Sequence, residues 1–218
     1  TATATHRIMI VELMGLHAGW LTLGAGLAAG ADVILIPEFP YDMKLVVNAI
    51  LDRKRAGRNF SLVAVAENAR SQELVDFVER AARLKAQREA EGTQEVDQEV
   101  ERISSSYSGE TMLLARRLRE ETGLETRITI LGSLVRGGTP TAADRLLATQ
   151  LAEWSALMVV NGQFGRMARR LNDEMGSVPL EEVVDRHKII PPDHAWIRGA
   201  SPVGTCLGVV PPIPVPLL

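Results

Sequence analysis

The chain holds 218 residues, carries a formal net charge of −3 and is 46% apolar but only 4% aromatic. That length suits one large domain, or a domain and a half, with a buried core, and the lack of a basic stripe with interleaved stacking residues excludes a nucleic-acid binder. The single cysteine, Cys206, cannot form an internal disulfide, and no leading apolar stretch is flanked like a signal peptide, so a reducing cytoplasm is the expected home.

Residues 1–6 read as the end of something longer, because no Met opens them and no strand precedes them. Arg7 to Met14 then forms a buried strand closed by Gly15, a helix runs from Leu16 to Ala29 with Gly30 as its C-terminal stop, and Ala31 to Pro37 is the next strand. The long uncharged run within this unit, Leu13 to Ala31, is rich in Gly and Ala and holds His17, so it is a buried helix under a sheet and not a membrane span. Asp42 caps a second helix through Leu51, Phe60 to Ala66 gives a third strand, and Glu67 lies just past its end. Strand, crossover and strand in this order predict an α/β fold with a doubly wound parallel sheet.

A helix from Gln72 to about Ala90 places Leu74, Val78 and Ala81 on one face, and Lys85 to Glu101 is charged enough to be a solvated hairpin or excursion. Ser104 to Gly109 is a loop. Glu110 to Thr122 is a helix stopped at Gly123, with Leu114 and Leu118 four apart, and it leads to a fourth strand from Arg127 to Gly132. The helix from Thr141 to about Val159 aligns Ala143, Leu147 and Leu151 and ends near Asn161-Gly162. Phe164 to Val184 is expected to hold a short strand and a helix. Ile189 to Pro192 breaks regular structure, and the tail from Pro211 to Pro216 is proline-rich. The expected division is an α/β domain over 1–140 and a helical, irregular segment over 141–218.

Chemistry is expected where the fourth strand hands over to the last long helix. There Leu134-Val-Arg-Gly-Gly-Thr-Pro140, followed by Asp144-Arg145, combines paired glycines for close backbone approach with two forked cations. Thr139 can cap the helix, Pro140 can take its first position, and its N-terminus favours an anion. In an open parallel sheet ligands bind beyond the carboxyl ends of the strands. Met14-Gly15, Glu67 and Arg136 all arrive at that edge, offering a thioether wall with a close-approach glycine, an acceptor for sugar hydroxyls and a phosphate fork. A sugar phosphate fits. Arg7, at the start of a strand, belongs to the opposite edge, so a role for it implies a neighbouring subunit's site. The four histidines show no metal-ligand spacing, and neither a P-loop nor a Rossmann fingerprint occurs.

Four stretches, in this order and at similar spacings, resemble 6-phosphofructokinase. They are Val11-Glu-Leu-Met-Gly15 with Ala18-Gly-Trp20, Val33-Ile-Leu-Ile-Pro-Glu38, Val63-Ala-Val-Ala-Glu67, and Ile130-Leu-Gly-Ser-Leu-Val-Arg-Gly-Gly-Thr-Pro140 through Asp144-Arg145. The resemblance covers about Thr5 to Gly208, and the Arg-Gly-Gly-Thr-Pro segment is highly specific. It implies phosphoryl transfer in glycolysis from ATP with Mg²⁺, or in some members from pyrophosphate, to the 1-hydroxyl of fructose 6-phosphate. It further implies that Met14, Gly15 and Glu67 meet the sugar and that Arg145 holds its 6-phosphate. Arg7 and Arg136 look like the two arginines that the family donates to an adjacent subunit, which implies a homo-oligomer, dimer or tetramer.

The resemblance also marks departures. The family's nucleotide-binding first half, with a Gly-Gly-Asp phosphate loop and a Thr-Ile-Asp-Asn-Asp segment bearing the general base, has no counterpart here. The chain therefore looks like the second, sugar-phosphate-binding half, with a C-terminal segment returning toward the nucleotide domain, and it is expected not to turn over alone. Leu16 stands where the family usually has arginine, which opens the alternative of a catalytically silent relative that binds sugar phosphate and regulates. Asn68 stands where many relatives have glycine, and Asp32 is similar in position to an effector-site acid of allosteric bacterial members.

Overall fold

The computed structural model describes residues 2–91 and 109–210. The charged excursion from residue 92 on, the loop from Ser104 to Ser108 and the proline-rich tail lie outside the described residues. Two compact units emerge: Thr1–Val135 with Ile189–Leu218, and Arg136–Lys188. The boundary thus falls before Arg136, not at residue 140, and the described residues from Ile189 on return to the first unit.

The first unit begins with a short helix α1 (Ala2–Thr5), followed by β1 (Ile8–Leu13). Next come α2 (Trp20–Ala28), β2 (Val33–Leu35), α3 (Met43–Arg55), β3 (Ser61–Ala66), α4 (Gln72–Glu91), α5 (Glu110–Thr122), β4 (Thr126–Ile130) and, after the second unit, α7 (Ala195–Ala200). Residues 85–91 are helical and belong to α4, in line with the helix expected to about Ala90, so the overlapping reading of a hairpin or excursion from Lys85 does not hold for them. The strands are parallel in the order β2-β3-β1-β4. The β-branched runs of β2 and β3 are buried on both faces, as parallel strands require, while the edge strand β4 keeps Arg127, Thr129 and Ile130 exposed. On one face α3 and α5 enclose Ile8, Ile10, Val63 and Leu35. On the other, Leu23 of α2 and Ile197 of α7 cover Leu13, Ile34 and Ala64. The expected doubly wound sheet is present.

Helix α2 starts four residues later than the sequence reading. No residue near Leu16 caps it; instead both carboxylate oxygens of Glu38 accept from the Gly19 amide at 3.0 and 3.1 Å. A Cβ on Gly19 would lie 2.4 Å from Ile36 Cβ, so only glycine admits this approach. Glu38 also accepts from the Ile190 amide at 3.0 Å, tying the returning segment to the start of α2.

Asp32, in the turn before β2, is committed to the framework. One carboxylate oxygen pairs with Arg53 of α3 at 2.8 Å, the other accepts from the Leu62 amide of β3 at 2.8 Å, and both side chains are largely shielded.

The second unit contains α6 (Ala142–Val160), the hairpin β5 (Arg166–Leu171) and β6 (Glu174–Pro179), and a 3₁₀ turn at Leu180–Glu182. The expected short strand and helix are replaced by this hairpin because Asn172 and Asp173 adopt φ of 50° and 66°, the positive values that two-residue turns joining twisted strands demand. Within this unit Leu147, Leu151, Trp154 and Met158 share a stripe of α6, yet only Met158 is buried.

Asp32→Ala removes an ion pair and a backbone acceptor together, and the expected loss of unfolding free energy is about 2 to 4 kcal/mol. Urea denaturation measures it, and a loss under about 0.5 kcal/mol, the range of ordinary surface changes, would remove Asp32 from the framework.

Candidate functional site

The parallel register levels the carboxyl ends of three strands. Leu13 of β1 lies beside Ala66 of β3, and Glu12 lies beside Ile130 of β4. The loops that follow therefore open at one edge. The Glu67 amide donates to Leu13 O at 2.9 Å and the Leu131 amide to Glu12 O at 3.1 Å, so the first residue past β3 and β4 is fixed by β1 itself. Beyond β1, the Gly15 amide donates to Glu67 Oε1 at 3.3 Å. A Cβ on Gly15 would sit 3.0 Å from Ala66 Cβ and 3.2 Å from Ala18 O, so the turn packs directly on the end of β3. Met14, half-buried, precedes it.

A cleft of about 510 Å³ lies at this edge, and its lining includes Glu12, Glu67, Asn68, Arg70, Glu110 and Ile130. The structure thus brings Gly15 and Glu67 together with Met14 adjacent. Arg7 is at the other end of β1, where it forms an ion pair with Glu125.

In the second unit, Arg136 ends a 3₁₀ turn, Gly132–Arg136, and Gly138 takes φ of 97°, which suits glycine. The capping expected at Thr139 and Pro140 is displaced to Thr141. Its hydroxyl accepts from the Asp144 amide at 3.2 Å, while the Asp144 carboxylate accepts from the Thr141 amide at 2.9 Å. This reciprocal box wins because it satisfies two groups at once. Its hydrogen bonds from the Thr141 side chain and then the backbone hold Asp144 below the usual carboxylate range. Arg145 follows in the first turn of α6, with Nε 3.4 Å from Pro140 O.

Comparison with known proteins supplies the family. The phosphofructokinase family model matches residues 1–159. The chain is 46% identical over 214 residues to the ATP-dependent 6-phosphofructokinase of Propionibacterium freudenreichii, covering 95% of this chain and 56% of that protein. It is 42% identical over 208 residues to the ATP-dependent 6-phosphofructokinase of Spirochaeta thermophila, at 95% and 52% coverage. The chain belongs to the phosphofructokinase family.

Among solved phosphofructokinases, that of Saccharomyces cerevisiae superposes with a TM-score of 0.58 at 28% identity over 83% of this chain and 21% of that one. The pyrophosphate-dependent phosphofructokinase of Marinobacter aquaeolei shares the fold, with a TM-score of 0.65 at 19% identity over 94% of this chain and 47% of that one. The chain spans about half the length of the curated phosphofructokinases it matches.

Several lining residues escaped the sequence reading. Glu12 carried a signal, a carboxylate one residue short of the end of a buried strand. Asn68 was marked only as a departure from the glycine of many relatives, and Arg70 carried no signal, since polar residues after a strand are commonplace. Glu110 begins α5, and its Oε2 is buried with no hydrogen-bond partner. Burial pushes its carboxyl up to about 7, against the opposing pull of the Arg70 guanidinium and a hydrogen bond from the Ser71 backbone.

The folded value exceeds the ordinary 4.5, so protonation favours the fold. This contribution is complete below the ordinary value, declines as pH rises toward about 7, and is gone above it. Glu110→Gln should therefore raise stability at pH 8 by about 1 to 2 kcal/mol, a figure reduced for partial solvent screening. Near pH 4.5 it should change stability little. Denaturation curves at the two pH values test this, and an equal change at both would refute the assignment.

Proposed function

We propose that the chain supplies the fructose 6-phosphate-binding part of an ATP-dependent 6-phosphofructokinase acting in glycolysis in the cytoplasm. The observation that carries the reading is the meeting of Gly15 and Glu67 at the carboxyl edge of the sheet, in a chain 46% identical to a protein named for that activity. Glu67, exposed, accepts from sugar hydroxyls, and Gly15 lets the sugar approach its backbone beside Met14. Arg145 holds the 6-phosphate, because a guanidinium fork matches two phosphate oxygens. Arg7 and Arg136 are assigned to the phosphate of an adjacent subunit's site in a homo-oligomer.

The general base and the nucleotide's cradle are assigned to the remainder of the longer protein, since phosphoryl transfer needs the donor positioned and its charge neutralised by Mg²⁺ and cations. Mg²⁺ is assigned to that remainder together with the nucleotide phosphates, since such a site needs only one or two carboxylates besides the phosphates. No step on this chain runs through Mg²⁺. The same remainder is proposed to cover α6, whose Leu146 and Val160 are 66% and 82% exposed.

A second reading, a catalytically silent relative that binds sugar phosphate and regulates an active partner, is favoured by Leu16. An aliphatic side chain, 55% exposed, stands at the edge of the site where the resemblance expects arginine.

In the intact protein containing this segment, Arg136→Ala and Arg145→Ala should each weaken fructose 6-phosphate binding by about 1.5 to 3 kcal/mol, or roughly 10- to 150-fold in Kd. Equal affinity in mutant and parent would sink the assignment of that arginine. A coupled assay for fructose 1,6-bisphosphate with ATP and with pyrophosphate separates the readings: turnover with either rejects the silent relative, and the donor that supports it identifies the phosphoryl source.

A further inference from the structure

The loops after β1 and β3 are joined by two hydrogen bonds of unequal quality. Both are solvent-exposed, and that from the Gly15 amide to Glu67, at 3.3 Å, is long. The other is short: Asn68 Nδ2 donates to Leu16 O at 2.7 Å. The same amide group is held from its far side, because Asn68 Oδ1 accepts from Arg70 Nε at 3.2 Å. Arg70 is itself anchored. Its carbonyl accepts from the Tyr41 amide at 3.0 Å, and its guanidinium faces the Glu110 carboxyl strongly enough to oppose that group's rise in pKa.

Asn68 thus has its acceptor occupied by a cation and its donors turned toward the opposite loop. Glycine at this position could form neither bond, and a carboxylate would keep the contact to Arg70 while setting an anion against the Leu16 carbonyl. What Asn68 fixes is a distance. With Leu16 O held, the Gly15 amide stays within reach of Glu67 Oε1, and Glu67 lines the cleft.

We propose that Asn68 is a positioning residue for the sugar: by bridging Leu16 O and the Arg70 guanidinium it holds the Met14–Leu16 turn at the separation from Glu67 that the sugar's hydroxyls need. This rests on the fructose 6-phosphate reading above. Asn68 does not touch the substrate; it acts through Gly15 and Glu67.

The test compares the intact protein with its Asn68→Gly and Asn68→Asp variants. Loss of one hydrogen bond that sets geometry should raise KM for fructose 6-phosphate about three- to tenfold, with kcat within about twofold and KM for the phosphoryl donor unchanged. The melting temperature should fall by less than about 4 °C, and hydrogen exchange at the Gly15 amide should quicken. An unchanged KM for fructose 6-phosphate overturns the proposal. So does a collapse of kcat, both KM values and melting temperature together, which is the mark of a merely structural residue. Should the parent protein form no fructose 1,6-bisphosphate and bind no fructose 6-phosphate, the functional reading fails first and the positioning role falls with it. Faster exchange at Gly15 in that case would still register the bridge as a structural contact alone.

Discussion

Everything at the candidate site depends on the pairing register of β1 with its two neighbours. Leu13 beside Ala66 and Glu12 beside Ile130 bring three strand ends to one level, so residues distant in sequence leave the sheet side by side. A slip of one residue would send Glu12 to the opposite face and separate Gly15 from Glu67. Burial on both faces is what prevents it. Ile8 and Ile10 face one core cluster and Leu13 the other, all shielded from water, so a shifted β1 would trade apolar contacts for a carboxylate.

Much of this was legible because the determining interactions are local. The β-branched runs of β1 and β3 and the glycine that stops α5 with φ of 68° are read from neighbouring residues alone. Glu67 stands just past β3, where the run of apolar residues ends. What escaped the reading acts across sequence. The start of α2 is set by Glu38, a cap delivered from the end of another strand segment. The role of Asp32 needs Arg53 and Leu62 in place, and Asn68 acquires meaning only once Leu16 lies opposite. Two errors had a different origin, since their signals were present. Thr141 with Asp144 is a capping box that outranks Thr139-Pro140, and Asn172-Asp173 is a two-residue turn between strands.

The division into units reframes the arginines. Arg136 and Arg145 belong to the 136–188 stretch, which has a long helix and a hairpin but little buried apolar surface: of the residues in α6, Met158 alone is shielded. A helix apolar on several sides and solvated on most of them is not a self-sufficient unit. That accords with a chain spanning about half of its curated relatives. The first unit, by contrast, has two enclosed core clusters on either side of its sheet.

The outer margin of β2 has a consequence for how the protein is made. Val33 pairs with Cys206, the Ile34 amide donating to Cys206 O and the Cys206 amide to Asp32 O, each at 2.9 Å. A nascent chain emerging from the ribosome presents that strand long before Cys206 is synthesised, an interval on the order of ten seconds at ordinary translation rates. Throughout it, the backbone of Val33 to Leu35 offers unsatisfied donors and acceptors to any passing strand. Closure of that margin is thus timed by translation of its distant partner residue.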